Sequence, residues 1–369
     1  MQVIPVRHAL GRYDVHVAPG SLHSLPDLLG KALGRRTLAL ISDDVVAGHI
    51  EEWSRARGTD PPAMRLRAEA TFTFPAGEVS KTRETWTRLT DALLEWGLDR
   101  QGAIVAVGGG VVGDLAGFVA ATFLRGIPYA QVPTTLLAML DASVGGKVGV
   151  DTPLGKNLVG AFHPPAIVVA DPLTLLTLPD RTYRGGLAEA VKHGLIADAE
   201  YFGWIEGHVP QLLARDMDAL THLVSRSVEI KAQVVTEDER EGGRRAILNA
   251  GHTIAHGLEQ ESRYQLPHGE AVALGLIGEC RIAERMGLAP TGLGARVLGV
   301  LQALGLPTRT TAPPVMARVL EAMLHDKKNR GGEVRLALPT RLGAMHPGEG
   351  NFTVPVTEEL LAAAVSGLA

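Results

Sequence analysis

The order of apolar and polar positions changes character once along the chain. Up to about residue 178, short strand-like runs alternate with stretches of helical spacing. The opening residues, MQVIPVRHALGRYDVHV, alternate as a half-buried strand does. Residues 37–42 form an apolar run ending in Asp43 and Asp44, and residues 103–107 (AIVAV) run straight into Gly108, Gly109 and Gly110. Residues 129–132 and 167–170 read as further strands, and residues 82–96 place Trp86, Leu89, Leu93 and Trp96 on one helical stripe. That alternation predicts an α/β domain with a largely parallel sheet. After Pro179, strand-like runs nearly vanish. Helical spacing recurs over 187–196, 220–235, 253–260, 271–286 and 294–304, with a short hairpin expected around 334–338. The pattern places an α/β domain at 1–178 and a mainly α-helical domain at 179–369.

Composition narrows the class. With 46% hydrophobic and 21% charged residues, the chain is neither disordered, fibrous nor a coiled coil. No apolar run approaches the roughly 18–20 residues that span a bilayer. The N-terminus lacks a basic–apolar–small signal pattern, so a cytoplasmic location is expected. A single cysteine, Cys280, excludes an internal disulfide framework and a Cys-rich zinc site. A net charge of −4 gives no reason to expect a nucleic-acid or membrane surface. The 43 glycines cluster between 102 and 160. Basic residues split into 28 Arg and 8 Lys, so a retained lysine marks a position that wants a compact ammonium. All the lysines except Lys31 fall in motifs.

Gly108, Gly110 and Gly113 fit G-x-G-x-x-G between a strand and a helix, where backbone amides can approach a pyrophosphate. The same glycines also suit a tight strand–helix turn; with the strand–helix alternation, the first domain reads as Rossmann-like. The acid expected about 20 residues further on is absent from 129–132, and Asp43 or Asp44 could bind a ribose instead. Residues 75–82 put Gly77, Glu78 and Lys81 before a helix, a pattern that also suits a capped loop. Thr134 and Thr135 follow a strand and offer hydroxyls to a ligand or an N-cap. Asp141, Lys147, Lys156 and Asn157 stand in Gly-rich loops, which let backbone come close to a small charged ligand. Glu189, Lys192 and His193 share a helix face at i, i+3 and i+4. His252 and His256, at i and i+4, have metal-ligand spacing, and His268 opens the next helix. Three histidines within 17 residues, with a distant helical Glu, make a His/His/carboxylate site; spacing alone would make both His252 and His256 ligands.

The strings GGGVVGDLAGFVAATFLRGI, QVPTTLLAMLDASVGGKVGVDTPLGKNLVGAFHPP, GGLAEAVKHGLI, LNAGHTIAHGLE and LPHGEAVALG occur in that order. Together they resemble the 3-dehydroquinate synthase family, over roughly residues 70–340. The resemblance implies an N-terminal NAD domain, a helical C-terminal domain with the active site between them, one divalent metal (zinc, with cobalt an alternative) and a homodimer. It implies conversion of 3-deoxy-D-arabino-heptulosonate 7-phosphate, a small sugar phosphate, to 3-dehydroquinate and phosphate. Position by position, it implies Glu189, His252 and His268 as metal ligands and turns His256 toward the substrate. It implies NAD contacts from Asp43 or Asp44, Gly77, Glu78, Lys81, Gly109, Gly110, Val111, Gly113, Asp114, Thr134, Thr135, Lys147, Lys156, Thr174 and Thr177. Lys147, Lys192, Arg245, Asn249 and His256 become catalytic residues, and Arg125, Asp141, Lys156, Asn157, Lys231 and Lys327 or Lys328 bind substrate.

The implied reaction combines a transient oxidation by NAD, phosphate elimination, re-reduction, ring opening and aldol closure. Oxidation of a ring alcohol acidifies the neighbouring C–H so that phosphate can leave. A metal with three protein ligands keeps open positions for substrate oxygens and acts as a Lewis acid. The cations hold phosphate and carboxylate, which is positioning as much as charge. A metal-dependent polyol dehydrogenase would not need so many phosphate-binding cations, and the Gly-Lys-Asn157 and Leu-Asn249-x-Gly-His strings favour dehydroquinate synthase over it and over sister sugar-phosphate cyclases. An inactive NAD-binding scaffold would not need a chemically competent residue at every implied ligand position. The chain departs from the family pattern at Ala255 and Gly257, which predicts a locally different helix packing.

Overall fold

The computed structural model describes residues 1–9, 11–55, 71–324 and 333–369. Packing divides the chain into two units, Met1–Leu178 with Leu220–Ala232, and Pro179–Ala219 with Gln233–Ala369. The segment Leu220–Ala232, which the sequence pattern groups with the helical half, belongs to the first unit.

The first unit begins with β1 (Gln2–His8) and β2 (Gly11–Val17), an antiparallel pair where the sequence shows one alternating stretch. Then follow α1 (Leu25–Leu33), β3 (Thr37–Asp43), α2 (Asp44–Arg55), β4 (Thr71–Phe74), α3 (Arg83–Glu95), β5 (Gly102–Gly108), α4 (Gly110–Thr122) and β6 (Tyr129–Pro133). After β6 come β7 (Lys147–Thr152), β8 (Gly155–Phe162) and β9 (Ile167–Ala170). A seven-stranded sheet has the order β1-β2-β9-β6-β5-β3-β4 and is parallel from β2 to β4. Its two faces bury alternate residues. Ala39, Ile41, Ile104 and Ala106 pack in one apolar cluster with residues of α3 and α4, while Leu40, Ala103, Val105 and Val107 pack in another with α1. Every residue of β5 is buried, as a central strand covered on both faces requires. On α3, Leu89 and Leu93 are buried and Trp86 and Trp96 pack beside them. The Gly-rich stretch 147–162 is not a loop, because β7 and β8 pair as an antiparallel hairpin.

The second unit carries α5 (Asp180–Ala197), α6 (Ala199–Gly207), α7 (Val209–Leu213) and, outside its middle portion, α8 (Met217–Glu237). It continues with α9 (His252–Glu261), α10 (His268–Arg285), α11 (Leu293–Ala303) and α12 (Met316–Leu324). Short strands β10 (Arg335–Leu336), β11 (Pro339–Arg341), β12 (Ala344–Met345) and β13 (Val354–Pro355) precede α13 (Glu358–Ser366). The hairpin expected at 334–338 is displaced. β10 pairs with the distant β13, and the local hairpin is β11–β12. Two-residue strands carry too little alternation for a sequence pattern to register them. Among the described residues, no helix is long and apolar enough to cross a membrane.

Candidate active site

Two groups of predicted site residues assemble, one in each unit. In the first unit, Gly109 caps α4, and the glycines bring elements close. A Cβ on Gly113 would lie 2.8 Å from Gln131 Oε1 on β6, and one on Gly110 would lie 3.3 Å from the Ala142 Cβ. Because β3 is the sheet neighbour of β5, with Ser42 opposite Val107, Asp43 ends the strand beside the glycine loop. The sheet order thus explains why an acid is absent after β5 in sequence yet present beside it in space. Asp43 Oδ1 accepts the Val46 N–H at 2.7 Å, and Asp44 Oδ1 accepts the Ala76 N–H at 2.9 Å.

Lys81 is 4% exposed and donates to Asp114 Oδ2 and to Asn157 Oδ1, both at 2.6 Å. Burial opposes its charge, but Asp114 and Glu78 outweigh that and raise its pKa. Asn157 stands on β8 at φ 55, a left-handed conformation that Asn tolerates, and its N–H donates to Asp151. Lys156 approaches exposed Glu78 at 3.7 Å. Gly77 precedes that acid at φ 109. Thr135 Oγ1 accepts the Ala138 N–H, and Thr134 Oγ1 is buried without a hydrogen-bond partner among the described residues. The hydroxyls of Thr174 and Thr177 donate to backbone carbonyls of Asp171 and Thr174. Lys231 pairs with Asp141 through both its carboxylate and its carbonyl. Val111 lies in the first turn of α4 and Lys147 is the exposed first residue of β7. Arg125 is exposed, at φ 71, and makes no hydrogen bond or ion pair among the described residues.

In the second unit, Glu189 on α5 is fully buried, and its Oε1 lies 3.5 Å from His252 Nε2 and 3.6 Å from His268 Nε2. One ligand atom from each of these three residues falls within 4.8 Å of the others, close enough to hold one metal ion. His256, which helical spacing alone would make a ligand, is outside this set; its ring centre stands 5.8 Å from that of His252. Lys192, one turn beyond Glu189 and 1% exposed, forms an ion pair with it. Burial opposes a charged His268, but hydrogen bonds to Glu189 and Glu259 push it up to about 9. Arg245 is buried; its guanidinium donates to the Glu239 carbonyl and its N–H to Asp238. Asn249 Nδ2 donates to Glu241 Oε1 at 2.7 Å. Lys327 and Lys328 lie outside the described residues.

Family models for the N-terminal and C-terminal parts of 3-dehydroquinate synthase match residues 71–185 and 186–329. A 3-dehydroquinate synthase of Halorhodospira halophila is 46% identical over 333 residues, covering 90% of this chain and 91% of its own. The chain belongs to the 3-dehydroquinate synthase family. Structures outside that name also match. A 2-deoxy-scyllo-inosose synthase complexed with carbaglucose-6-phosphate, NAD+ and Co2+ is 27% identical, with full coverage of both chains and a TM-score of 0.89. A 2-epi-5-epi-valiolone synthase from Streptomyces hygroscopicus, with NAD+ and Zn2+ bound, is 29% identical, covers 100% of this chain and 99% of its own, and has a TM-score of 0.85. Gly257 on α9 stands against α12. A Cβ there would lie 3.0 Å from Val319 Cγ1, so the missing methyl lets α12 sit close.

Glu241, Glu259 and Glu279 escape the sequence reading. Glu259 lies seven residues after His252, on the same face of α9, and that periodicity could have found it. Glu279 lies eleven residues after His268, again on one face of α10. No comparable signal marks Glu241, which stands between helices.

Proposed function

We propose that this chain converts 3-deoxy-D-arabino-heptulosonate 7-phosphate to 3-dehydroquinate and phosphate, with NAD and one divalent metal, zinc or cobalt, and works as a cytoplasmic homodimer. The observation that carries the reading is the convergence of Glu189, His252 and His268 beside buried Lys192 in a member of this family. One carboxylate and two imidazoles are a donor set that suits zinc and leaves positions open. The first unit is the NAD-binding domain. The amides at the start of α4 face a pyrophosphate, Asp43 or Asp44 takes a ribose, and Thr134 offers a buried hydroxyl. When bound, NAD supplies a reversible oxidation, and the metal supplies Lewis acidity toward substrate oxygens.

The protein's own groups bind and orient the substrate. Lys192, Asn157, His256 and Arg125 hold phosphate, and Lys231 and Arg245 hold carboxylate. Each buried cation is held in place by an acid or carbonyl already bonded to it.

The test follows phosphate, 3-dehydroquinate and NADH absorbance together in the zinc-loaded protein with the heptulosonate phosphate. Phosphate should appear in step with product from a catalytic amount of NAD, with absorbance flat. Stoichiometric NADH accumulation from glycerol or another polyol, with no phosphate released, would overturn the reading in favour of a dehydrogenase.

A further inference from the structure

Helices α9 and α10 each carry one of the convergent histidines, and each also carries one buried glutamate, Glu259 at 2% and Glu279 at 1% exposure. The glutamates act across the helix pair. Glu259 Oε1, on α9, lies 3.4 Å from Nδ1 of His268 on α10. Glu279 Oε2, on α10, accepts the Gly251 N–H at 2.6 Å, just before α9 begins. His252 Nδ1 lies 3.1 Å from the carbonyl oxygen of Ala250. The carbonyl of Ala250 and the N–H of Gly251 belong to one peptide group. Glu279, that peptide and His252 therefore form a continuous hydrogen-bonded chain, in which a carboxylate at one end strengthens the carbonyl acceptor at the other.

The peptide is held in place from two further sides. Gly251 has φ 80, and a Cβ on it would lie 2.9 Å from Leu276 Cγ. A Cβ on Gly275 would lie 1.9 Å from the Gly251 carbonyl oxygen, so α10 runs directly against this turn.

We propose that Glu259 and Glu279 are the positioning residues of the metal centre. Glu259 acts directly on His268, and Glu279 acts on His252 through the Ala250–Gly251 peptide. Each holds the Nδ1 proton of its histidine, which leaves the Nε2 lone pair facing Glu189 and makes that nitrogen a stronger donor. The inference rests on the metal reading and deepens it.

The test uses metal-free full-length protein and zinc alone, titrated in competition with a chromophoric chelator. Glu259→Ala and Glu279→Ala should each weaken zinc binding by roughly 10–100-fold, the range found when such partners are removed. Glu279→Gln, whose amide oxygen still accepts the Gly251 N–H, should recover most of the affinity. Glu284→Ala is the control. Glu284 is on the same helix but accepts the N–H groups of Gly292 and Gly294, so its loss should lower stability and leave zinc affinity intact.

A second measurement covers an alanine variant that does not fold. In zinc-loaded protein with 15N-labelled histidine, Glu279→Gln should shift the Nδ1 proton of His252 and leave that of His268, and Glu259→Gln should do the reverse. Zinc affinity within about threefold of wild type in folded alanine variants, or Nδ1 signals that do not respond in this crosswise way, would overturn the proposal. Failure of the wild-type protein to bind zinc at all would instead remove the metal reading beneath it.

Discussion

Lys81, Lys192 and Lys231 are each buried, and each meets a carboxylate, on Asp114, Glu189 and Asp141 respectively. A chain that builds its surface from Arg has kept its compact ammoniums where space is short and an acid is at hand. An ion pair this buried is not retained for stability, since desolvation offsets most of the attraction. In the proposed reading it keeps a cation in readiness for the substrate's anionic groups. Lys192→Ala and Lys231→Ala should each cost more than about 2 kcal/mol of transition-state stabilisation, seen as a fall in kcat/KM. Lys31, exposed on α1, should tolerate alanine with no kinetic effect; near wild-type values for all three variants would end the argument from retained lysines. The histidines divide in a different way. His252→Ala should purify with little metal, whereas His256→Ala should keep its metal and turn over slowly. Elemental analysis after mild chelation checks both, and metal loss from both would restore the simple i, i+4 reading.

At the scale of elements, close helix contacts make the site. Gly275→Ala would drive a methyl into the Gly251 carbonyl, and overpacking of that kind costs roughly 1–3 kcal/mol, occasionally more. Urea unfolding should show that loss together with weaker zinc binding. Gly299, exposed on α11 with nothing within 4 Å of its added Cβ, should instead gain about 0.5–1 kcal/mol as alanine. A neutral Gly275→Ala would mean that the two backbones can part freely.

The same contrast explains what was legible in the sequence. Strands such as β5 and stripes such as that of α3 follow from periodicity because burial repeats with the element. The hairpin β7–β8 was hidden because glycines and lysines mimic a loop, and β10 because its partner β13 is far away in the chain. A His/His/carboxylate site was legible from residue spacing, but the choice of His252 and His268 over His256 needed a family pattern, since spacing along one helix says nothing about which face meets a distant carboxylate. Glu259 and Glu279 were passed over because a Glu in an amphipathic helix is ordinarily read as solvated.

For the whole molecule, the division of labour makes a simple forecast. The glycine loop, Asp43, Lys81 and Asp114 all belong to the first unit, while Glu189, His252 and His268 all belong to the second. Stripping the metal by chelation should therefore leave NAD affinity within about threefold of the starting value, measured by fluorescence titration or calorimetry, even as turnover disappears. Loss of NAD binding on chelation would show the two sites to be coupled.

The first unit is completed by Leu220–Ala232, and that segment brings Lys231 to Asp141. A single crossover near residue 178 between two family members would pair the sheet of one parent with the α8 segment of the other. Every such chimera inherits a first unit of mixed ancestry, in which Asp141 comes from one parent and its partner at position 231 from the other. Exchanging the unit whole takes three junctions, at 178, 219 and 232, and the last two cut through a single continuous helix.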